Sequence, residues 1–232
     1  MSNIDRIISE QVLSWSQRQA KAKRNQKTEG EWPVITISRE FGAMGRTLAN
    51  EVGKRTGFKV WDKELLSAIA EEAGADERFL ASLDEHRRKA IDDALYTSVM
   101  GSKLGNTHYF RSLLRVVHTL GAHGKCIIVG RGSNYIIKSR SALRVRIVCP
   151  REKRIFYIAE RDNISEKDAG KLINARDAER NDFVRYYFKQ DASSSHQYDL
   201  VLNSGVFNID QLANLMLLAY EKKTGKAVPL AE

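Results

Sequence analysis

Two glycines and their neighbours carry the most specific chemical pattern in this chain. Residues 38–47 read Ser38-Arg39-Glu40-Phe41-Gly42-Ala43-Met44-Gly45-Arg46-Thr47. The β-branched run Val34 to Ile37 precedes them, and Leu48, Ala49, Val52 and Gly53 follow at helical spacing. A strand that passes through a glycine turn into a helix aims several backbone N–H groups and the positive helix end at one anion. Glycine lets that anion come close to the backbone. Gly42, Ala43, Met44, Gly45, Arg46 and Thr47 are therefore the expected cradle for phosphate groups. Arg46 and Thr47 stand where G-x-x-x-x-G-K-[ST] has its lysine and its magnesium-binding hydroxyl, while Glu40 replaces the first glycine. The same residues also fit an ordinary glycine-rich strand-to-helix turn, so other stretches must decide.

Metal and thiol chemistry have less support. His108, His118, His123 and His196 have no ligand-like spacing with one another or with the cysteines. Cys126 and Cys149 lie inside apolar, strand-like runs, where a thiol serves as a small buried hydrophobe. Charge points to an anionic partner: 38 Lys and Arg outnumber 29 Asp and Glu, a net +9 that would attract a nucleotide, a nucleic acid or a membrane surface. One cluster is Arg18, Lys21, Lys23, Arg24 and Lys27; another is Lys138, Arg140, Arg144, Arg146, Arg151, Lys153 and Arg154. Neither has aromatic residues interleaved as a stacking platform, which counts against nucleic acid as the partner. No apolar run approaches the ~18 residues of a membrane span, and the N-terminus lacks the apolar core of a secretory leader, so a cytoplasmic protein is expected.

Hydrophobic spacing defines the elements that must position the loop. Ile4, Ile7, Ile8, Val12 and Trp15 predict an amphipathic helix over 3–24, packed on the body or on a second subunit, and residues 25–31 read as a linker. Strands are predicted at 34–37, 58–61, 126–129, 143–149 and 198–202, and helices at 46–55, 63–73, 76–105, 109–123, 151–162, 164–188 (as one or two) and 209–223. Asp62 would end the second strand and cap the next helix. The region 76–105, with Phe79, Leu80, Leu83, Ile91, Leu95 and Val99 inward, could cover a substrate. Short apolar strands separated by helices imply an α/β architecture with a parallel sheet and a ligand outside the carboxyl ends of its strands.

Taken in order, Ile-Thr-Ile-Ser-Arg-Glu-Phe-Gly, Trp61-Asp62-Lys63-Glu64, Ile128-Val129-Gly130-Arg131-Gly132 and Tyr198-Asp199-Leu200-Val201-Leu202-Asn203 resemble the cytidylate-kinase-like family over residues 33 to 224. The resemblance implies a three-layer P-loop NTPase fold of the nucleoside monophosphate kinase type. Its parts would be a five-stranded parallel core, a helical substrate-binding insert at 76–122 and a helical lid at 163–190, with 1–30 outside the domain at 31–232. It implies ATP and Mg²⁺ as cofactors, nucleotide substrates, Asp62, Lys63 and Arg131 at the substrate, and Thr47 on the metal. Glu40 and Asp62 would be outer carboxylates, unless Glu40 instead pairs with Arg39. Arg46, Arg131, Arg176 and Arg180 would neutralise the transferring phosphoryl group, and the last two, four residues apart, share one helix face. The chain departs from cytidylate kinases in Glu40 and Arg46, and in lacking the acids of Asp-Gly-Arg-Asp around Arg131.

Two readings follow. One is an ATP-dependent phosphotransferase acting on a nucleoside monophosphate such as CMP or dCMP. The other is a non-catalytic nucleotide-binding regulatory module, whose N-terminal helix (1–24) contacts a protein partner or a second copy. Arginines retained at every phosphate position favour the enzyme.

Overall fold

The computed structural model describes residues 3–24, 33–72, 74–100, 108–137, 140 and 142–227. In chain order its elements are α1 (Asn3–Arg24), β1 (Val34–Arg39), α2 (Gly45–Thr56), β2 (Lys59–Trp61), α3 (Lys63–Glu71), α4 (Ala75–Ala81), α5 (Glu85–Met100) and α6 (His108–His123). They continue with β3 (Cys126–Val129), α7 (Ser133–Ile136), β4 (Ala142–Val148), α8 (Arg151–Asp162), α9 (Glu166–Phe188), β5 (Leu200–Asn203) and α10 (Ile209–Thr224). Two compact units emerge: Val34–Asp62 with Lys125–Glu232, and Met1–Pro33 with Lys63–Gly124.

The first of these holds a five-stranded sheet in the order β2-β3-β1-β4-β5, with every neighbouring pair parallel. Parallel strands are covered on both faces, which is why Val34 to Ile37 of β1, with the one polar residue Thr36, and Cys126 to Val129 of β3 are all buried. The connection after β1 leads to one side of the sheet and that after β4 to the other, so a crevice opens at their carboxyl ends. On α2, Leu48, Ala49 and Val52 are buried, and Gly57 ends the helix at φ +69°. The long helix α9 begins at Ser165, whose hydroxyl accepts from the Asp168 N–H, and its Ala169 and Ile173 pack on Ile158 of α8. It is one helix, where the sequence left one or two open. The sequence spacing did not predict α7, a single turn after Gly132, and β5 starts two residues later than expected.

In the other unit α1 buries Ile8 and Trp15. The Trp15 ring meets Phe79 edge-on at 5.2 Å and stacks on His123 at 3.8 Å, and Arg78 donates to Asp5 at 2.8 Å. The helix whose packing was left open between body and second subunit thus lies on α4 and α6 of its own chain. The helical run expected over 76–105 is broken in two. Ser82 folds its hydroxyl onto the Phe79 carbonyl, and Asp84 accepts from the Arg87 N–H, a local bond that starts α5 afresh. The last residues of that run, the linker at 25–31, Lys27 and Lys138 lie outside the described residues. Among the described residues no helix is long and apolar enough to cross a membrane.

Candidate functional site

β1 delivers the chain into the glycine turn. Within it Gly42 has φ +82° and Met44 φ +57°, so left-handed residues turn successive peptide planes and make a concave run of N–H groups. Leu48 is the first residue of α2 to donate inside the helix, to Met44 O at 3.0 Å. The N–H groups of Gly45, Arg46 and Thr47 therefore have no intrahelical acceptor and face outward at the positive helix end. A Cβ on Gly42 would sit 3.2 Å from Arg154 Cβ and Ile158 Cγ1, which shows how closely α8 underlies the turn.

Arg39 crosses from this turn to the next. Its stem passes so near Gly45 that an added Cβ would lie 2.9 Å from its Cβ and Cγ, and its guanidinium fills the place a Gly130 side chain would take. Gly130, Arg131 and Gly132 all have positive φ, at +86°, +52° and +66°. Gly130 N–H donates to Ile37 O at 2.9 Å, which fixes this second turn beside β1. Arg131 lays its guanidinium 4.8 Å over the Phe183 ring of α9, so it neighbours an aromatic face.

The sequence-predicted residues are partly brought together. The amide cradle of 42–47, Arg46, Thr47, Asp62, Arg131 and Arg180 all lie in the sheet unit, whereas Lys63 begins α3 in the other unit. Arg46 donates to Asp62 at 2.5 Å; its side chain is 65% exposed against 17% for Asp62, so the carboxylate is held and the guanidinium stays accessible. Thr47 is exposed in the first turn of α2. Glu40, which the sequence offers as an outer carboxylate or as a partner of Arg39, turns its carboxylate to the end of β4. It accepts from Cys149 N–H at 3.0 Å and lies 3.7 Å from Arg154 and 3.9 Å from Arg146, because β4 ends next to it. Arg180 stacks on Phe41 at 5.2 Å and stands 3.6 Å from Asp177, while Arg176 pairs with Glu179 at 3.0 Å on the exposed side of α9.

Other residues at the site were not singled out by sequence. Asp177 accepts from the Phe41 N–H at 2.7 Å and from Arg154 at 2.5 Å; Arg154 also donates to the carbonyls of Cys149 and Phe41. Buried Arg146 donates to Ser38, and Tyr198 bonds to both Ser38 and the Ala192 carbonyl. Arg146 and Arg154 stood in the second basic cluster, but nothing local shows that β4 and α8 carry them to the loop. Asp177 reaches its partner across 136 positions, and no local signal could have found it. Burial pushes the Cys149 thiol up from its usual range, so it remains a protonated structural group beside the turn. Among the described residues no cluster of three His, Cys, Asp or Glu side chains could hold a metal.

Arg39, Arg46, Arg131, Arg146, Arg154 and Arg180 thus surround two glycine turns with Glu40, Asp62 and Asp177 as the carboxylates among them. Such a surplus, beside a cradle of N–H groups, suits a polyanion with several phosphate oxygens. The model of the cytidylate kinase-like family matches residues 34–206. No curated protein matches the chain. A crystal structure of an uncharacterized protein from Eubacterium ventriosum ATCC 27560 has the same fold, with a TM-score of 0.61 at 18% identity over 82% of this chain and 98% of that one.

Proposed function

The chain belongs to the cytidylate kinase-like family, and from that premise we propose that it is an ATP-dependent phosphotransferase acting on a nucleoside monophosphate of the CMP or dCMP kind. The observation that carries the reading is the group of arginines at and beside the glycine turn: Arg46 in it, Arg39 packed on Gly45, Arg146 on Ser38, and Arg154 and Arg180 on Phe41. Phosphoryl transfer asks a protein mainly to align two phosphorylated partners and to neutralise charge on the group in flight. The N–H groups at the head of α2 hold the donor phosphates in this reading. Arg46 supplies the charge of the usual lysine as a two-pronged fork, and Asp62 aims it. Arg131 takes an acceptor phosphate, with Phe183 orienting its guanidinium. Arg180 closes on the donor as part of α9, which serves as the lid in this reading, and residues 76–122 supply the insert.

Mg²⁺ fits only as part of a nucleotide complex. Glu40 is turned to β4 and Asp62 to Arg46, so in this reading the Thr47 hydroxyl would be the protein's ligand to a nucleotide-bound Mg²⁺. When bound, the ion would offset the charge of the phosphate groups.

The pairing of Arg46 with Asp62 and the missing acids around Arg131 favour a second reading, a nucleotide-binding regulatory module without turnover. One experiment separates the two. Nucleotides are screened by thermal shift with and without Mg²⁺, and those that bind are then tested as a donor and acceptor pair for ADP formation. The enzyme reading expects a rise in Tm with ATP and with one monophosphate, followed by turnover. Binding without turnover under any pairing selects the regulatory module, and no binding at all removes both.

A further inference from the structure

At Phe41, the residue that enters the glycine turn, the backbone N–H is taken by a carboxylate of the chain itself. Asp177 Oδ1 takes the Phe41 N–H at 2.7 Å, and Oδ2 takes Arg154 Nη1 at 2.5 Å. Arg180 Nη1 stands 3.6 Å from the same group. These donors are held by other means as well. Arg154 is anchored by the carbonyls of Cys149 at 3.0 Å and Phe41 at 3.2 Å, and Arg180 by the face of Phe41. Arg161, itself paired with Asp162, lies 5.5 Å over the same ring. A backbone N–H and a guanidinium hydrogen-bonded to one anion, with a second guanidinium 3.6 Å away, form a donor set that also suits a phosphate group.

We propose that Asp177 is an internal stand-in for a phosphate group: its carboxylate occupies Phe41, Arg154 and Arg180, and a polyphosphate must displace it to bind. The inference rests on the reading of residues 42–47 as a phosphate loop, and it assigns that loop a built-in competitor. A negative charge next to incoming phosphates opposes their binding, and it compensates Arg154 and Arg180 while the loop is vacant. Asp177 therefore sets the concentration of nucleotide at which the site fills. A purely structural tie between α9 and the turn makes the opposite prediction, since loosening the tie would disorder the loop and weaken binding.

Asp177→Asn separates these outcomes, because its amide oxygen can still accept from Phe41 N–H while the charge is gone. Titration calorimetry on the full chain would measure Kd for ATP and for inorganic pyrophosphate, with a ligand-free melt of each protein alongside. The expected result is binding of both ligands about tenfold tighter or more in D177N, even if its ligand-free Tm falls. Equal or weaker binding than wild type overturns the proposal while leaving the phosphate loop intact. Absence of binding by both folded proteins overturns the loop reading and the proposal together. Should D177N fail to fold, Asp177→Ser, which also keeps an acceptor and loses the charge, is measured in its place; failure of both to fold makes the carboxylate a structural tie and ends the proposal.

Discussion

His123 offers the sharpest quantitative prediction, because its environment keeps a proton away from it. The ring stacks on Trp15, nearly parallel at 6°, and its Nε2 shares a 2.8 Å hydrogen bond with Ser82. Burial, and then the charges of Arg18 and Arg87, push its pKa down to about 3. In the unfolded chain the same imidazole titrates near the ordinary 6.5. Between these values the unfolded state binds a proton that the folded state refuses, so stability falls as pH drops below 6.5. The slope approaches ~1.4 kcal/mol per pH unit, which makes the loss between pH 7 and pH 5 about 2 kcal/mol. Against a domain stability of roughly 5–15 kcal/mol that is a large fraction. His123→Gln removes the titration and retains an N–H donor for the Ser82 hydroxyl, whose own hydrogen goes to the Phe79 carbonyl. Urea unfolding followed by tryptophan fluorescence at pH 7, 6 and 5 would show it. The difference in ΔG between wild type and variant should shift by about 2 kcal/mol from pH 7 to pH 5, and the variant curve should be the flatter. Equal pH slopes for the two proteins would refute the claim that His123 is buried neutral on Trp15.

Other expectations follow from the same geometry. Gly45→Val places new carbons against the Arg39 stem, only 2.9 Å from an added Cβ, so it should abolish the ATP-dependent rise in Tm while destabilising the chain by about 1–3 kcal/mol; unchanged ATP affinity would rule the turn out as a phosphate loop. Arg131→Lys loses the fork and much of the stacking on Phe183, so turnover with any accepted monophosphate should drop at least ~10-fold while the ligand-free Tm holds; wild-type turnover would remove Arg131 from the acceptor site. Trp15→Ala empties a fully packed position and should destabilise the helical unit by about 3–5 kcal/mol in chemical denaturation, whereas a change under ~1 kcal/mol would mean that α1 contributes no core.

Much of this molecule was legible along the chain, because the information was local. The β-branched runs at 34–37 and 126–129 could be buried only in a parallel sheet, and Gly57 and Gly225 end helices in the left-handed conformation where the periodic spacing stops. The glycine turn was likewise visible, since Gly42 and Gly45 perform their parts within a few residues of one another. Tertiary structure alone decided what those local pieces face. Ser38 and Arg146 are adjacent because β1 and β4 pair in that register, and the Glu40 carboxylate takes the Cys149 N–H at the end of β4. Arg131 meets Phe183, and Asp177 meets Phe41, through contacts between segments far apart in sequence. Charge follows the same division: the +9 surplus is a property of composition, while the gathering of arginines around one crevice is a property of strand order. Periodicity reports which face of an element is buried; it carries no record of the neighbour on the other side, and the chemistry of this site lies in those neighbours.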